Sequence, residues 1–395
     1  MKRTVSIGFV AVGWVILSAA AAFASRAELD GRGLPRFLAD DPTNLPVFPG
    51  GAAGLPSQML VDFIYGPGYD YPEPFESRDP SDRLAVALFG RHVKLGYVLD
   101  GPTHHLVLGM PRGFGFILGF SDRHDEDEDY TKTEWNGQSE ESFDYTKTSE
   151  TQIRASLGWS GRLGDRRTLS IALAGSYLDS EIRSKSKRVL DGEIIEDVHQ
   201  VVESDPGAGW EISLQSLDPE AGPLIAARYS DTNRNPHSEE IAATAWRSRR
   251  ASLDLAWRWT PEMLDDLVFG WTSSWSKDES PVDLNYSSHI VDRSEAEIFR
   301  GGVFVSGEKR ILESLVARAG VLARGYFEDR AYAYARSSGD YLRYSSDSSS
   351  TGRIESPRIF LGGSWSWKNL RVDVRLNESI SLYNPFIRWS AALLW

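Results

Sequence analysis

Charged residues at alternate positions are the feature of this sequence that most suggests chemistry. Nine of them lie in segments where every second side chain is apolar, so each charge faces away from the apolar side. They are Arg154, Arg258, Arg300, Arg318, Arg324, Arg371, Asp373, Arg375 and Arg388. On the inner wall of a water-filled channel, such arginines keep their charge and attract anions. Alternatively, they pair with carboxylates on neighbouring strands and brace the wall, and the sequence leaves both interpretations open.

Histidine and nucleophile patterns do not predict a catalytic centre. His104 and His105 are adjacent, but no Cys, His or Glu accompanies them at the spacing of a metal site. The G-x-S-x-G motif of serine hydrolases is absent from the sequence. We therefore predict that the protein is not an enzyme and has no catalytic residue, no metal ligand and no cofactor.

An acidic run resembles the start of a calcium-binding loop without completing it. Asp125, Asp127 and Asp129 lie at alternate positions. The position that needs glycine is Tyr130, and the twelfth position is Asn136 instead of glutamate. The run is therefore interpreted as a solvated acidic segment, with a surface divalent-ion site as the alternative.

Composition limits the classes of partner. The chain has 395 residues, a net charge of -13 and no Cys, with 13 Trp, 15 Tyr and 17 Phe. The negative net charge argues against binding of nucleic acid, because proteins that bind nucleic acid present a basic surface. The mean hydropathy of -0.34 is compatible with a membrane barrel, because only alternate strand residues of a barrel contact lipid.

The first residues predict export. Lys2 and Arg3 precede a long apolar stretch, and Ala22-Phe23-Ala24 fits a cleavage site. We predict a signal peptide at 1–24, with a retained membrane anchor as the alternative. Residues 25–82 are rich in Gly and Pro and have too few apolar residues for a core of their own. We predict that they form a periplasmic or lumen-plug extension.

From residue 83 onward the apolar residues alternate with a period of two, which is the period of a strand. LDLAWRWT (253–260) and LRVDVRLN (370–377) are examples. The connections alternate between short and long, as the periplasmic turns and outer loops of a membrane barrel do. We count the run SGEKR (306–310) among the short turns. The segment 121–150 repeats DYTKT around Asn136-Gly137, which predicts a two-stranded ribbon with a tight turn.

The chain resembles the outer-membrane β-barrel proteins of Gram-negative bacteria, of the porin and transporter type. The resemblance rests on the export signal, the alternating strands of 83–395 and the aromatic last residue. In such proteins the final strand is recognised by the barrel-assembly machinery. The resemblance implies that Trp389 and Trp395 belong to this assembly signal.

A weaker resemblance connects the N-terminal segment with barrels similar to the long-chain fatty-acid transporter. These barrels often begin with an acidic pair followed by Asn-Pro-Ala-Gly. Here Asp40-Asp41 and Pro49-Gly50 stand in similar places, while the Asn-Pro-Ala core is replaced. In that family the N-terminal segment enters the barrel as a plug, which would give residues 25–82 a role.

These observations together predict an all-β protein: a transmembrane antiparallel β-barrel of about 14 strands, within a range of about 12 to 16. We expect it in the bacterial cell outer membrane, in contact with outer-membrane lipid and the assembly machinery and without nucleic acid. The predicted function is passive passage or binding of an unknown solute, either anionic or hydrophobic. The alternatives are a structural or surface-interaction barrel with a salt-bridged closed lumen and, less favoured, an outer-membrane enzyme.

Overall fold

The computed structural model describes most of the chain. The described residues are 35–38, 42–65, 84–100, 103–135, 138–164, 167–190, 193–218, 221–237, 246–282, 290–338, 341–376 and 387–394. The predicted signal peptide and Trp395 lie outside them.

Seventeen strands form the described part of the protein, because alternating sequences favour the extended backbone. They are β1 Gln58–Tyr65, β2 Leu84–Phe89, β3 Lys94–Asp100, β4 Thr103–Gly109, β5 Phe114–Trp135, β6 Gln138–Leu163, β7 Arg167–Leu190, β8 Glu193–Leu217, β9 Gly222–His237, β10 Trp246–Trp259, β11 Asp266–Val282, β12 Ile290–Leu312, β13 Leu315–Ser338, β14 Tyr341–Ile354, β15 Arg358–Trp367, β16 Leu370–Leu376 and β17 Ile387–Leu394. Four short 3₁₀ turns accompany them: Arg36–Leu38, Pro42–Asn44, Pro49–Ala53 and Pro111–Gly113.

The strands close into one antiparallel barrel. Consecutive strands pair with each other, and β17 pairs with β1 to complete the ring. The strand after β13 is interrupted at residues 355–357, which separate β14 from β15. β14 pairs with Gly325–Ser338 of β13, and β15 pairs with Leu315–Leu322 of the same strand. Sixteen strands complete the ring. The predicted fold class is confirmed, with two strands more than the expected 14 and within the expected range.

The first strand of the wall comes from the Pro/Gly-rich segment. Gln58–Tyr65 lies between β2 and β17, with Leu60 opposite both Val86 and Ala392. Leu60, Val86 and Ala392 are all buried on the inner side of the wall. The wall therefore begins at residue 58, ahead of the boundary at residue 83 that the sequence suggested, because QMLVDFIY supplies the alternation that ring closure needs.

The two ends of the barrel differ. At one end, which we call the short-turn end, strands are joined by tight connections such as 313–314 and 368–369. At the opposite end, the hairpin end, β5 to β8 continue as paired strands of 22 to 26 residues. The predicted ribbon is confirmed, since Trp135 pairs with Gln138.

The outer surface of the wall is apolar. Along β10, Leu253, Leu255, Trp257 and Trp259 are between 40% and 54% exposed, while Asp254 between them is 5% exposed. Large apolar side chains that face outward around a closed barrel form the surface that lipid covers. Among the described residues, no helix is long and apolar enough to cross a membrane.

The N-terminal residues 35–38 and 42–55, which we call the plug, fill the short-turn half of the barrel. Leu45, Ala52 and Leu55 pack against inward side chains of β1 to β5 and β17. Leu38 packs against inward side chains of β8, β9, β11 and β12, and Phe48 packs against Ala172 of β7. The plug therefore contacts opposite sides of the inner wall.

Candidate functional site

The plug turn Pro49–Ala53 lies against a part of the wall that lacks side chains. A Cβ atom added to Gly115 of β5 would lie 1.9 Å from the carbonyl oxygen of Pro49. At Gly158 of β6 it would lie 3.0 Å from the ring of Pro49, and at Gly109 of β4 it would lie 3.0 Å from the Cβ atom of Ala52. Glycine at these positions lets the backbone of the plug approach the wall directly.

At the other end of the plug, Phe37 is held by contacts with residues of the wall. Gln215 of β8 donates a hydrogen bond from its Nε2 atom to the carbonyl oxygen of Phe37, at 2.7 Å. The guanidinium carbon of Arg228 lies 5.8 Å from the centre of the Phe37 ring, in cation–π contact. The Phe37 ring also meets Phe48 edge-on, with 6.1 Å between ring centres. These contacts connect the plug to charged residues of the wall.

A buried carboxylate joins two of these wall arginines. Glu211 of β8 is 6% exposed and accepts hydrogen bonds from Arg154 at 2.9 Å and Arg228 at 2.5 Å. Ser213 donates a further hydrogen bond to Glu211, at 3.1 Å. Because one carboxylate faces two guanidinium groups, this cluster carries a net positive charge.

A polar cavity of about 690 Å³ lies inside the barrel beside this cluster. We call it the outer cavity. Hydroxyl and charged groups supply most of its lining, including Arg250, Ser252, Ser274 and Arg300 of β10 to β12. A smaller cavity of about 170 Å³ is lined partly by the plug, through Phe37, Pro46 and Val47, and shares residues with the outer cavity. The shared residues are Gln152, Arg154 and Arg228.

A second cluster braces the wall near the short-turn end. Arg318 and Asp373 have side chains only 2% and 0% exposed, and Nη1 of Arg318 lies 3.0 Å from Oδ1 of Asp373. Nε of Arg318 donates to Glu308 at 2.7 Å, and Nη2 donates to Ser364 at 3.2 Å. Arg371 also pairs with Asp373, at 3.0 Å. Arg318, Arg371 and Asp373 therefore link four strands instead of lining an open channel.

The remaining predicted lining residues fall into separate groups. Arg258 pairs with Asp266 at 3.3 Å close to the short-turn end. Arg324 pairs with Glu355, in the break between β14 and β15. Arg375 and Arg388 lie opposite each other in β16 and β17, but their side chains lie outside the described part of the chain. Of the nine predicted residues, Arg154 and Arg300 line the outer cavity.

The residues that hold the plug were not all predicted. Phe37 and Gln215 had no signal in the sequence, because their contact joins positions 178 residues apart. Arg250 could have been found by extending the alternation of β10 two positions before Ser252. Of the histidines, His105 is buried on the inner wall, and His104 is exposed beside Tyr97. Among the described residues, no group of three His, Cys, Asp or Glu side chains could hold a metal ion.

No protein-family model matches the chain, and no curated protein matches it. Among solved structures, it is similar to a Pseudomonas aeruginosa FadL homologue, with 11% identity over 95% of this chain and 99% of that chain and a TM-score of 0.35. It is also similar to the Pseudomonas putida toluene transporter TodX, with 10% identity over 95% of this chain and 94% of that chain and a TM-score of 0.33. A third similar structure is CdiB from Acinetobacter baumannii, with 10% identity over 86% and 60% of the chains and a TM-score of 0.36. Similarity at this level carries no argument about function, and the fold rests on the strand pairing described above.

Proposed function

We propose that the protein is an outer-membrane barrel of a Gram-negative bacterium that passes a small polar solute, with its own N-terminal segment as the gate. The observation that carries the proposal is the arrangement inside the closed barrel. A polar cavity lies on the hairpin side, and the plug fills the short-turn side. The solute enters the outer cavity and reaches the periplasm when the plug moves, without an energy input from the barrel itself.

The lining of the outer cavity favours anions over apolar solutes. An apolar solute would remove water from the arginine and serine side chains without replacing their hydrogen bonds, which is costly. Arg154, Arg228, Arg250 and Arg300 outnumber the carboxylates of the lining, which are Glu150, Glu211 and Asp278. The proposal therefore takes the anionic alternative and sets the hydrophobic one aside.

Bilayer conductance across a salt gradient tests this proposal. We expect the purified full chain to give a reversal potential of the sign that anion preference requires, because the cavity field is positive. Arg300→Gln should move this potential toward zero. Cation preference in the unaltered chain would contradict the proposal.

A second candidate function is a structural or surface-interaction barrel. The buried pair of Arg318 with Asp373 and the tight packing of the plug favour it, since both fill the lumen. Liposome swelling separates the two functions. A structural barrel stays closed to small solutes under every condition, whereas a gated channel admits them when the plug is displaced.

The end of the chain carries the proposed interaction with the assembly machinery. The backbone of Trp389 pairs with Val374 on one side and with Phe63 on the other. We expect deletion of Trp395 to reduce insertion into the outer membrane while export continues, because the closing strand loses its terminal aromatic residue. The measurement is the fraction of heat-modifiable protein in the outer-membrane fraction. An unchanged fraction would count against the assembly proposal.

A further inference from the structure

The inner face of β9 to β12 carries the chemistry of a ligand site within the outer cavity. We propose that it binds a small carboxylate that carries several hydroxyl groups, a ligand of the sugar-acid class. The inference rests on the proposed function and deepens it, because it names the class of solute that the outer cavity selects.

Strand register places arginine and serine side chains in rows across this face. One row runs Arg228, Ser252, Ser274 and Arg300, on four consecutive strands. The next row toward the hairpin end contains Ser230, Arg250 and Ser276. Neighbouring strands lie about 4.8 Å apart, and successive inward residues of one strand lie about 7 Å apart. A six-carbon acid can therefore reach several of these groups at once.

Two arginines of the rows are available to an anion. Within the described part of the chain, no ion pair or hydrogen bond joins Arg250 or Arg300 to another residue, whereas Arg228 is paired with Glu211. Glu355 acts on Arg300 only at longer range, and Arg324 and Arg358 are its closer partners. Both side chains are exposed within the cavity. A carboxylate is the natural partner, because guanidinium groups bind it through two parallel hydrogen bonds.

The polar groups beside the two arginines favour a ligand with donors as well as acceptors. Serine hydroxyl groups lie in the same rows and line the cavity: those of Ser230, Ser252, Ser274 and Ser276. Asp278 also lines the cavity, and its carboxylate accepts hydrogen bonds. Hydroxyl groups both donate and accept hydrogen bonds, so a hydroxylated acid fits this lining better than a simple carboxylate.

Calorimetric titration of the purified full chain in detergent tests the ligand class. The probes are gluconate, glucose, hexanoate and inorganic phosphate at one ionic strength. We expect gluconate to bind at least about tenfold more tightly than glucose, which lacks the charge, and hexanoate, which lacks the hydroxyl groups. Equal binding of glucose would overturn the role of the arginines. Equal binding of hexanoate or phosphate would overturn the role of the hydroxyl rows.

Variants locate the site. Arg250→Gln and Arg300→Gln should each weaken gluconate binding by about ten- to a hundredfold, because each removes a charge-assisted hydrogen bond. The double variant Ser252→Ala with Ser274→Ala should weaken it about tenfold and leave hexanoate unchanged. The matched controls are Arg249→Gln and Ser273→Ala, which lie one position away on the opposite face of the same strands.

The results separate this inference from the proposed function. Unchanged gluconate affinity in both arginine variants, with the folded barrel verified by its heat-modifiable mobility, would overturn the site. Binding in detergent does not require an open pore, so its loss leaves the conductance result standing. Conversely, a barrel that binds gluconate and conducts no ions would overturn passage and keep the site. If one arginine variant does not fold, the other and the serine pair still decide.

Discussion

A Gly115→Ala variant is expected to have an open probability at least about tenfold higher than that of the unaltered chain. The new Cβ atom would lie 1.9 Å from the carbonyl oxygen and 2.3 Å from the carbonyl carbon of Pro49. Gly115 is held by Gly109 and Gly158 on its two neighbouring strands, so the plug turn is the part that must move. Overpacking costs about 1–3 kcal/mol, and about 1.4 kcal/mol changes a population tenfold.

Gly175→Ala is the matched control for this variant. Gly175 lies in the wall on β7, and the nearest atom to an added Cβ would be the carbonyl oxygen of Gly209, 4.0 Å away. Single-channel recordings should give the same open probability for this control as for the unaltered chain. If the Gly115→Ala barrel folds and its open probability is unchanged, the contact between the plug turn and Gly115 does not keep the channel closed.

The second large effect is expected on stability. Arg318→Met should lower the free energy of unfolding by about 1.5–3 kcal/mol, because the buried Asp373 loses the charge-assisted hydrogen bond from Arg318 while it keeps the one from Arg371. The Asp373 side chain is 0% exposed and the Arg318 side chain 2% exposed, so solvent does not screen the pair. The measurement is urea unfolding of the refolded barrel, followed by tryptophan fluorescence.

Arg330→Gln is the control for the buried pair. Arg330 pairs with Glu328 on the hairpin side of β13, and its side chain is 50% exposed. Exposed pairs of this kind contribute only about 0–1 kcal/mol, so this variant should unfold close to the unaltered chain. Equal losses in the two variants would mean that the cluster around Arg318 is not a brace.

Alternation allowed the sequence to predict which side of the wall most residues face. Leu253, Leu255 and Trp257 face outward and Asp254 faces inward because side chains on a strand alternate. The same rule placed Arg154 and Arg318 on the inner face. It could not separate lining from bracing, because that depends on which carboxylate lies across the lumen or on the next strand.

Two local features misled the sequence analysis. The charged run SGEKR was predicted as a turn, but Ser306–Arg310 lies within β12, where Ser306 is buried and Glu308 accepts a hydrogen bond from Arg318. The strand count was low partly because the predicted barrel began at residue 83 and left out β1, Gln58–Tyr65. In both cases pairing with the adjacent strands of the barrel overrides the local composition.

The contacts between the plug and the wall could not be predicted from the sequence. Nothing near Phe37 in the chain indicates Gln215 or Arg228, and the closure of the ring by β1 depends on its partner β17 at the other end of the chain. The Pro/Gly-rich composition predicts a segment without a core of its own. The packing of the plug turn against Gly109, Gly115 and Gly158 depends on three strands that become neighbours only in the folded barrel.

A reversible lock on the plug tests the gate most directly. The chain has no native Cys, and a Cβ atom at Gly109 would lie 3.0 Å from that of Ala52, about 0.5 Å short of disulfide geometry. In liposomes that contain the Ala52→Cys with Gly109→Cys double variant, chloride efflux should fall to the lipid background when the pair is oxidised. It should return on reduction, while each single variant is indifferent to oxidation. Equal efflux from the oxidised and reduced double variant, with the disulfide verified by mass, would contradict a gate formed by residues 35–55.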